Sequence, residues 1–347
     1  MANNDWQEFQ FIQGAVFNNE TIVSFGNIQN ELLCAAQADI VCDLSHLATL
    51  ALSGDDALTF LQGQVTNDVN LLGTDKAHYS GYCSPKGRLL ALFLAYRQAE
   101  VIHLQLNGKL AEAIAKRLKM YVMRSKVKLD NVSDATVKLG ISGPNAEKAL
   151  SAFFSIIPAL ALELSHNENG TLIRLSGPLP RFEIVCHTDT AKRIWSELKK
   201  TCKPVGKAAW EWLEIQAGIP DIQLTTQEEF VPQMVNLDCL NGINFKKGCY
   251  TGQEIVARTH YLGKVKRRTH LLHLATSVPA QAGMDVVTDK QEVVGKVVRA
   301  APAPNGGYAV LAEIRLDSMD AGDLFINGVK LELRSLPYAF SAVKAGL

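Results

Sequence analysis

The chain has 347 residues, of which 47% are hydrophobic and 20% charged, and its 35 lysines and arginines balance its 35 aspartates and glutamates. A chain of this length exceeds one average hydrophobic core, so two or three domains are expected. The formal net charge of zero argues against a general attraction to nucleic acid or membranes, and any contact with RNA must then come from a local patch.

Targeting signals and cysteine usage narrow the class of protein further. The first ten residues are polar and lack the basic region and apolar core of a signal peptide. The longest apolar runs, 89–96 and 156–164, fall well short of the roughly 20 residues that a membrane-spanning helix needs. The seven cysteines are odd in number and form no Cys-x-x-Cys pair, which disfavours a disulfide framework and a zinc site. We therefore expect a cytoplasmic protein with reduced thiols, no metal site and no membrane contact.

The first half of the chain predicts an α+β unit. A loosely alternating pattern over 8–25 indicates a hairpin, and a helix is expected over 27–36. A strand over 47–52 ends in Ser53-Gly54, and Asp55 is the predicted N-cap of the next helix. Three β-rich runs then precede a helix over 109–121, and they span 78–84, 88–96 and 101–106.

The same order of elements is repeated downstream. A strand over 137–142 ends in Ser142-Gly143, and Pro144 suits the first turn of a helix. Strands over 171–175 and 182–187 and a helix over 190–200 follow. Because 52–57 and 141–146 have similar sequences, we predict two similar α+β lobes with antiparallel sheets and a cleft between them. Clefts of this kind are preferred ligand sites.

The C-terminal part has a different pattern. A helix over 208–216 is closed by Gly218 and Pro220. From Thr269 onward, short strands alternate with Asp, Asn and Gly turns, a spacing that suits a small β-barrel or sandwich. The predicted domains are a first lobe over 1–132, a second lobe over 133–265 and a barrel over 266–347, with exchange of segments allowed between the lobes.

Chemistry is concentrated in the stretch 244–258. Gly248 and Gly252 bracket Cys249, so the backbone there can approach a ligand closely. Lys246, Lys247 and a helix that begins near Gln253 would together stabilise a thiolate. The alternative is a small buried cysteine, which these residues alone slightly favour.

Residues 247–254, Lys-Gly-Cys-Tyr-Thr-Gly-Gln-Glu, resemble the signature of the YgfZ family. These are folate-binding proteins connected with iron-sulfur protein maintenance and tRNA modification. They are related to the glycine-cleavage T-protein, a tetrahydrofolate-dependent aminomethyltransferase. Weaker landmarks extend the resemblance over about residues 45–270, and they lie at 60–68, 121–127, 217–220, 256–258 and 266–268. The resemblance implies two ferredoxin-like α+β lobes and a C-terminal barrel around a central folate channel, and it favours a functional Cys249.

The resemblance also implies folate-binding residues. Trp210 matches a family tryptophan implicated in folate binding; the alternative is a core position on the helix that it shares with Trp212. Leu47 stands where the family often has a second tryptophan. Gln216 stands where T-proteins carry a glutamate that binds the pterin, so one acceptor is kept and the charge is lost.

Two cations and a tyrosine complete the predicted site. Lys247 and Arg258 are assigned to the carboxylate tail of folate or to the Cys249 thiolate, because cations pair with such groups; the alternative for each is a solvated surface charge. Tyr250 either lines the channel or packs in the core, and the sequence leaves this open.

One departure from T-proteins concerns catalysis. Ala91 and Leu92 occupy the places of the paired aspartates, and neither side chain can transfer a proton. The T-protein counterpart of Cys249 is an aspartate. Glycine cleavage is therefore not expected.

The expected function is that of a monomeric accessory protein that binds tetrahydrofolate or a related folate and supports iron-sulfur clients, including tRNA-thiolating enzymes. A stably bound iron-sulfur cluster is not expected. The alternative is a folate-dependent one-carbon transferase or demethylase on an unknown substrate, for which Glu254 and His260 are the nearest bases. Direct tRNA binding is a less favoured hypothesis, because a run of charged residues usually forms a solvent-exposed surface. Its residues would be Arg258, His260, Lys264, Lys266, Arg267 and Arg268.

Overall fold

The computed structural model describes residues 3–261, 265–319 and 322–340. The helices in these ranges are α1 Asn4–Ile12, α2 Ile28–Gln37, α3 Ala57–Gln62, α4 Ala111–Val122, α5 Ala146–Leu150, α6 Thr188–Leu198, α7 Lys207–Gln216, α8 Gln253–Tyr261 and α9 Leu316–Met319. The strands are β1 Val16–Asn18, β2 Thr21–Ser24, β3 Ile40–Asp43, β4 Leu47–Ser53, β5 His78–Cys83, β6 Leu89–Gln98, β7 Val101–Asn107, β8 Lys128–Asn131, β9 Val137–Ser142, β10 Leu164–Asn167, β11 Gly170–Leu175, β12 Arg181–Cys186, β13 Lys203–Val205, β14 Arg267–Leu274, β15 Asp285–Thr288, β16 Val293–Pro302, β17 Tyr308–Arg315, β18 Leu324–Ile326 and β19 Val329–Arg334.

The first lobe is built on an antiparallel sheet with the strand order β5-β6-β7-β4-β8. Helix α4 packs on this sheet through Ile114 and Leu118, which are four residues apart and therefore lie on one helix face. Strand β6, which lies between β5 and β7, is buried over most of its length, so that the sheet is covered on both sides along this strand.

The second lobe contains a sheet with the order β10-β11-β12-β9-β3-β13. Strand β3 precedes the strands of the first sheet in the chain, yet it pairs with β9 in the second sheet, and β13 joins β3 in parallel. The second sheet therefore contains strands from both of the predicted ranges, 1–132 and 133–265. These ranges stay predictions of the domain boundaries. Every residue of β9 and β12 is buried, because helices cover one face of the sheet and the first lobe covers the other.

The C-terminal strands form a closed six-stranded barrel in the order β14-β17-β16-β15-β18-β19. Closure pairs the edges of the sheet, which would otherwise be open to other chains. Apolar side chains such as Val286, Val297 and Ile314 fill the interior. The predicted α+β class with a C-terminal barrel is confirmed.

The repeated corner is present in both lobes. Gly54 and Gly143 follow β4 and β9 with φ of +110° and +145°, and their carbonyls accept bonds from the amides of Ala57 and Ala146 at 3.0 and 3.2 Å. An added Cβ would lie 2.2 Å from the carbonyl oxygen of Lys126 at Gly54. The positive φ and the close approach explain why each corner carries glycine.

One local prediction is confirmed only in its second half, where β1 and β2 form a hairpin, and another is wrong. The hairpin predicted over 8–25 begins only at β1, because Asn3 caps helix α1 by accepting from the amide of Trp6 at 3.1 Å. Trp6 and Gln10 then lie one turn apart on the buried face of the helix. Asp55 does not cap α3; its carboxylate forms an exposed ion pair with Lys126 at 3.1 Å.

Candidate functional site

Lys247 attaches the signature, residues 247–254, to the first lobe through hydrogen bonds. Its buried Nζ donates to the carbonyls of Gln62, Val65 and Asn67 at 2.8, 2.6 and 2.7 Å. Burial lowers the pKa of this ammonium to about 8, against the opposing effect of Asp68. Because an ammonium has three protons, all of its donors are used by the protein in this arrangement. The assignment of Lys247 to folate or to the thiolate stays a prediction.

The contact between segments 62–68 and 241–247 is made by further buried bonds. Thr66 Oγ1 donates to the carbonyl of Gly242 at 2.7 Å, and the amide of Asn244 donates to the carbonyl of Thr66 at 3.0 Å. The side-chain amide of Asn67 donates to the carbonyl of Asn241 at 2.8 Å. Two of the sequence landmarks are therefore parts of one hydrogen-bonded core beneath the cysteine.

A glycine contact fixes the start of α8. Gly252, with φ of +82°, packs on Gly87 in the turn between β5 and β6. A Cβ on Gly252 would lie 2.4 Å from the carbonyl oxygen of Ser84 and 2.8 Å from Cα of Gly87. Conversely, a Cβ on Gly87 would lie 2.8 Å from Cβ of Ile255. This close approach holds the signature turn against the first sheet.

Cys249 is exposed, whereas the other six cysteines, all within the described part of the chain, are buried or half-buried. The neighbouring Gly248 has open space where a Cβ would be. Among the buried thiols, desolvation raises the pKa of Cys83 to about 12. Accessibility therefore distinguishes Cys249 as the thiol that another molecule can reach.

Tyr250 and Arg258 flank this cysteine in different environments. Tyr250 is buried under Lys247, whose Nζ lies 5.2 Å from the ring centroid, and burial raises the pKa of the phenol. Arg258 is exposed on α8, and it has no ion pair within the described ranges. The assignment of each as a folate contact stays a prediction.

Trp210 has the surroundings of a core side chain. It is 1% exposed and its ring lies where a Cβ on Gly140 would be, only 2.6 Å from the ring edge. The guanidinium of Arg181 lies over the ring at 5.2 Å. A side chain larger than that of glycine at position 140 would collide with the ring of Trp210. This packing favours the interpretation of Trp210 as a core residue.

Gln216 lies elsewhere, in a cavity of about 460 Å³ between α2, α7 and the barrel. The aromatic wall of this cavity is Trp212, and Arg334 supplies a cation. The volume falls in the range of small-molecule sites. The predicted folate residues thus lie in separate surroundings: Trp210 in the core, Gln216 in this cavity, and Tyr250 with Arg258 near the cysteine.

Sequence reasoning missed a group of polar side chains, buried except for the partly exposed Glu214, where the lobes and the barrel meet, and we call it the junction cluster. Its members are Tyr79, Tyr96, Gln105, Arg181, Glu183, Glu214 and Arg299. Arg181 and Arg299 lie 2.7 and 3.5 Å from the two carboxylate oxygens of Glu214. Nε2 of Gln105 donates to Glu183 Oε2 at 3.0 Å across the two sheets.

Several atoms of the junction cluster have no hydrogen-bond partner among the described residues. They are Oε1 of Gln105, Oε1 of Glu183, Nε of Arg299 and the three guanidinium nitrogens of Arg181. Arg181 is close enough to Glu214 for an ion pair, but its N–H groups are not aligned with the carboxylate for a hydrogen bond. Burial raises the pKa of the Glu183 carboxyl to about 7, opposed by Gln105 and Lys138. Unpaired buried polar atoms are costly, so such a group indicates a place for water or a polar ligand.

A sequence signal for this cluster exists. Arg181 and Glu183 alternate with apolar residues in β12, and Gln105 lies between two leucines in β7. In a strand, residues two apart share a face, so a charged pair inside a fully buried strand indicates a polar interior. Which other strand it would meet could not be read from the sequence.

The positions of the T-protein acids lie in β6. Ala91 pairs with Tyr82 and is fully buried, and Leu92 pairs with Gly81. Neither position offers an ionisable group, so a carboxylate for this region would have to come from another strand.

The proposed RNA-binding cations are partly engaged by the protein. Arg267 bonds to Glu313 at 2.9 Å, and the buried Arg268 bonds to Asp238 at 2.6 Å. Lys264 lies outside the described residues. Of the predicted RNA-binding residues that the structure describes, Arg258, His260 and Lys266 are the ones for which it gives no ion pair.

Comparisons with known proteins agree with this architecture. A family model described as the GCVT N-terminal domain matches residues 6–174. The solved structure of the glycine cleavage system aminomethyltransferase T from Bartonella henselae superposes with a TM-score of 0.77 at 19% identity and 96% coverage of both chains. The fold is therefore that of the T-protein aminomethyltransferases.

Curated relatives give the family. The chain is 33% identical over 309 residues to the tRNA-modifying protein YgfZ of Yersinia pestis (strain Pestoides F), covering 87% of this chain and 93% of the relative. It is 30% identical over 302 residues to the protein of the same name from Sodalis glossinidius (strain morsitans), covering 85% and 92%. The chain belongs to the YgfZ family, as the signature indicated.

In the described ranges, no helix combines the length and the hydropathy needed to cross a membrane. The same ranges contain no group of three or more His, Cys, Asp or Glu side chains placed to hold a metal ion.

Proposed function

We propose that the chain is a cytoplasmic folate-binding accessory protein that supports iron-sulfur enzymes and tRNA modification through Cys249. The observation that carries this proposal is the exposed thiol of Cys249 on a rigid support, in a chain whose relatives are named tRNA-modifying proteins. The Lys247 bonds and the Gly87–Gly252 contact fix the turn beneath the thiol. A thiol held in this way can meet a client without a change in the fold.

The junction cluster suits the head group of a folate. A pterin presents adjacent ring and amino donors next to a carbonyl acceptor, and Glu183, Gln105 and Arg181 have unpaired atoms of the complementary kinds. Tyr79 and Tyr96 supply aromatic walls, and both are buried. When bound, tetrahydrofolate would supply a carrier for a one-carbon unit. The protein would bind the head group, orient it and exclude water from it.

Calorimetry with tetrahydrofolate tests this placement. We expect the wild type to bind, and Glu183→Gln to bind about 10-fold or more weakly, because a hydrogen bond to a charged group is replaced by a neutral one. Glu197→Gln, at an exposed ion pair with Lys200, is the matched control and should bind as the wild type does.

Two results would contradict the placement. Absence of binding by the wild type would remove folate from the proposal. Unchanged binding by Glu183→Gln together with lost binding by Trp212→Ala would instead assign folate to the cavity between α2 and α7.

The role of Cys249 is tested in cells by measuring thiolated and methylthiolated tRNA nucleosides in a strain that depends on this chain. We expect Cys249→Ala to lower these modifications and the half-buried Cys34→Ala to preserve them. Normal modification with Cys249→Ala would exclude the thiol from the function.

One observation favours the alternative, a folate-dependent transferase or demethylase. Oε1 of the buried Glu183 has no hydrogen-bond partner among the described residues, and burial raises the pKa of this carboxyl to about 7, where it can both accept and donate a proton. Loss of tetrahydrofolate during incubation with a panel of methylated amines, abolished by Glu183→Gln, would support this alternative. No turnover across a broad panel would contradict it.

A further inference from the structure

Three aromatic rings form an exposed stack beside the signature turn, and we call Phe245, His260 and Tyr261 the stacking platform. The rings of Phe245 and His260 are parallel within 11° with centroids 3.6 Å apart. Tyr261 meets His260 edge to face at 4.7 Å, and its hydroxyl donates to the carbonyl of Phe245 at 3.3 Å. Phe245 therefore supports the two outer rings from below.

The outer rings of the platform face solvent. Tyr261 is 60% exposed, and His260 is also exposed. A contiguous group of exposed aromatic rings marks an interaction site more often than a single exposed side chain does. Since both side chains are held by ring contacts and a hydrogen bond, they present a fixed surface at little further cost in side-chain entropy.

Cations surround the platform. Arg258 precedes Tyr261 by three residues on α8 and so lies on the same side of the helix. Lys246 adjoins Phe245, and Lys266 follows α8 in the chain. None of these three has an ion pair within the described ranges, and the acidic residue of the same helix, Glu254, lies in its first turn. The local balance is therefore positive in a chain whose net charge is zero.

We infer that the stacking platform binds a single-stranded segment of RNA, with a base on Tyr261 or His260 and the phosphates along Arg258 and Lys246. Exposed aromatic rings next to cations are the arrangement with which proteins bind single strands, because each base has a π-face and each phosphate a charge. The inference deepens the proposed function, on which it rests, by making RNA a direct partner of the chain through residues that flank the signature 247–254 in sequence.

The structure also changes which residues are expected to matter. Arg267 and Arg268 are bound to Glu313 and Asp238, so they are not available to phosphates without losing these bonds. The RNA surface is therefore defined by rings and by Arg258 and Lys246, and not by the full run of cations.

Fluorescence anisotropy with a labelled single-stranded RNA of about 12 nucleotides, at about 50 mM salt, tests the inference. We expect Tyr261→Ala to weaken binding by about 5- to 100-fold, the range for loss of one stacked base, and Tyr261→Phe to bind within about twofold of the wild type. Phe11→Ala, which removes an exposed ring 72% accessible on α1, is the matched control and should have no effect.

The cations give a second measurement. Arg258→Ala and Lys246→Ala should each reduce the slope of binding against salt concentration by about one phosphate contact. Arg267→Ala should leave this slope unchanged. Thermal melting of each variant shows whether it is folded, and Tyr261→Phe and Lys246→Ala change only exposed groups.

Failure of this inference is distinguishable from failure of the proposed function. If the wild type restores tRNA modification in cells but binds no RNA at low salt, or if Tyr261→Ala binds as tightly as the wild type, the inference is overturned and the function stands. If the wild type binds RNA through Tyr261 but Cys249→Ala leaves modification normal, the RNA surface is supported and the thiol function is overturned.

Discussion

Lys247 illustrates how a charged residue in a signature can serve structure. Its ammonium is surrounded by three backbone carbonyls of the segment 62–67 and lies over the ring of Tyr250. No neutral side chain of similar length could donate three hydrogen bonds there. Cys249 follows two residues later, so the position of its thiol depends on these three hydrogen bonds.

Lys247→Met should therefore destabilise the protein strongly. Three buried carbonyls would lose their donor, and the expected cost is about 2–4 kcal/mol in the free energy of unfolding. Lys246→Met, one residue earlier at an exposed position, should change it by less than about 0.5 kcal/mol. Urea denaturation of the two variants measures the difference, and equal effects would show that the three bonds contribute little.

Glu183 should make stability decrease with rising pH. Burial raises the pKa of its carboxyl from 4.5 to about 7, so between these values the folded state holds a proton that the unfolded state has released. This contribution is fully present below about pH 4.5 and is lost as the pH rises through about 7. Its size is at most about 3 kcal/mol. Lys138, Arg181 and Glu214 are the charged groups around it.

Denaturation curves between about pH 5 and pH 8 test this prediction. Glu183→Gln should become more stable relative to the wild type as the pH rises, because the amide does not ionise. Glu197→Gln should keep the wild-type dependence. A stability difference between Glu183→Gln and wild type that is the same at every pH would contradict the raised pKa.

At the scale of elements, glycines decide where the helices can begin. The corners at Gly54 and Gly143 turn β4 and β9 into α3 and α5, and Gly252 does the same for α8 against the turn at Gly87. In each case the φ is positive and a backbone group lies where a Cβ would be. Gly248 has neither constraint.

Gly252→Ala and Gly248→Ala form a matched pair of variants four residues apart along the signature. Gly252→Ala places a methyl group 2.4 Å from the carbonyl of Ser84 at φ of +82°, and we expect a loss of about 2 kcal/mol or more. Gly248→Ala should lie within about 0.5 kcal/mol of wild type. Thermal unfolding measures both, and a tolerated Gly252→Ala would mean that the turn can move away from the first sheet.

At the scale of the whole molecule, polar contacts join the three parts. Glu214 on α7 lies between Arg181 of the second sheet and Arg299 of the barrel. Asn107 of the first sheet donates to the half-buried Asp221 at 2.7 Å, and Nζ of Lys138 donates to the carbonyl of Leu47 at 3.0 Å. The interior where a folate is proposed to bind is thus also where the parts are held together.

Glu214→Gln should weaken this connection. Two buried guanidinium groups would lose their shared carboxylate, at an expected cost of about 3–5 kcal/mol. Glu211→Gln, on the same helix but in a more exposed pair with Lys207, should cost about 1 kcal/mol or less. Calorimetry checks both, and a separate transition for the barrel in Glu214→Gln would show that the contact couples the domains.

The sequence by itself determined the family, the α+β class, the C-terminal barrel and most elements, because these follow from strand and helix periodicity, turn residues and the signature at 247–254. The repeated corners were readable since only glycine accepts their backbone conformation. Periodicity also indicated the helix of α7, but not which of its tryptophans would be covered.

Tertiary structure alone decided what each site residue touches. The pairing of β3 with β9, the three carbonyls around Lys247 and the junction cluster all join residues far apart in the chain. Trp210 became a core residue because Gly140, on a distant strand, leaves room for its ring. The local sequence pattern determines which face of an element is apolar. Which other element packs on that face depends on the tertiary structure. For this reason the sequence identified the thiol of Cys249 but not its surroundings.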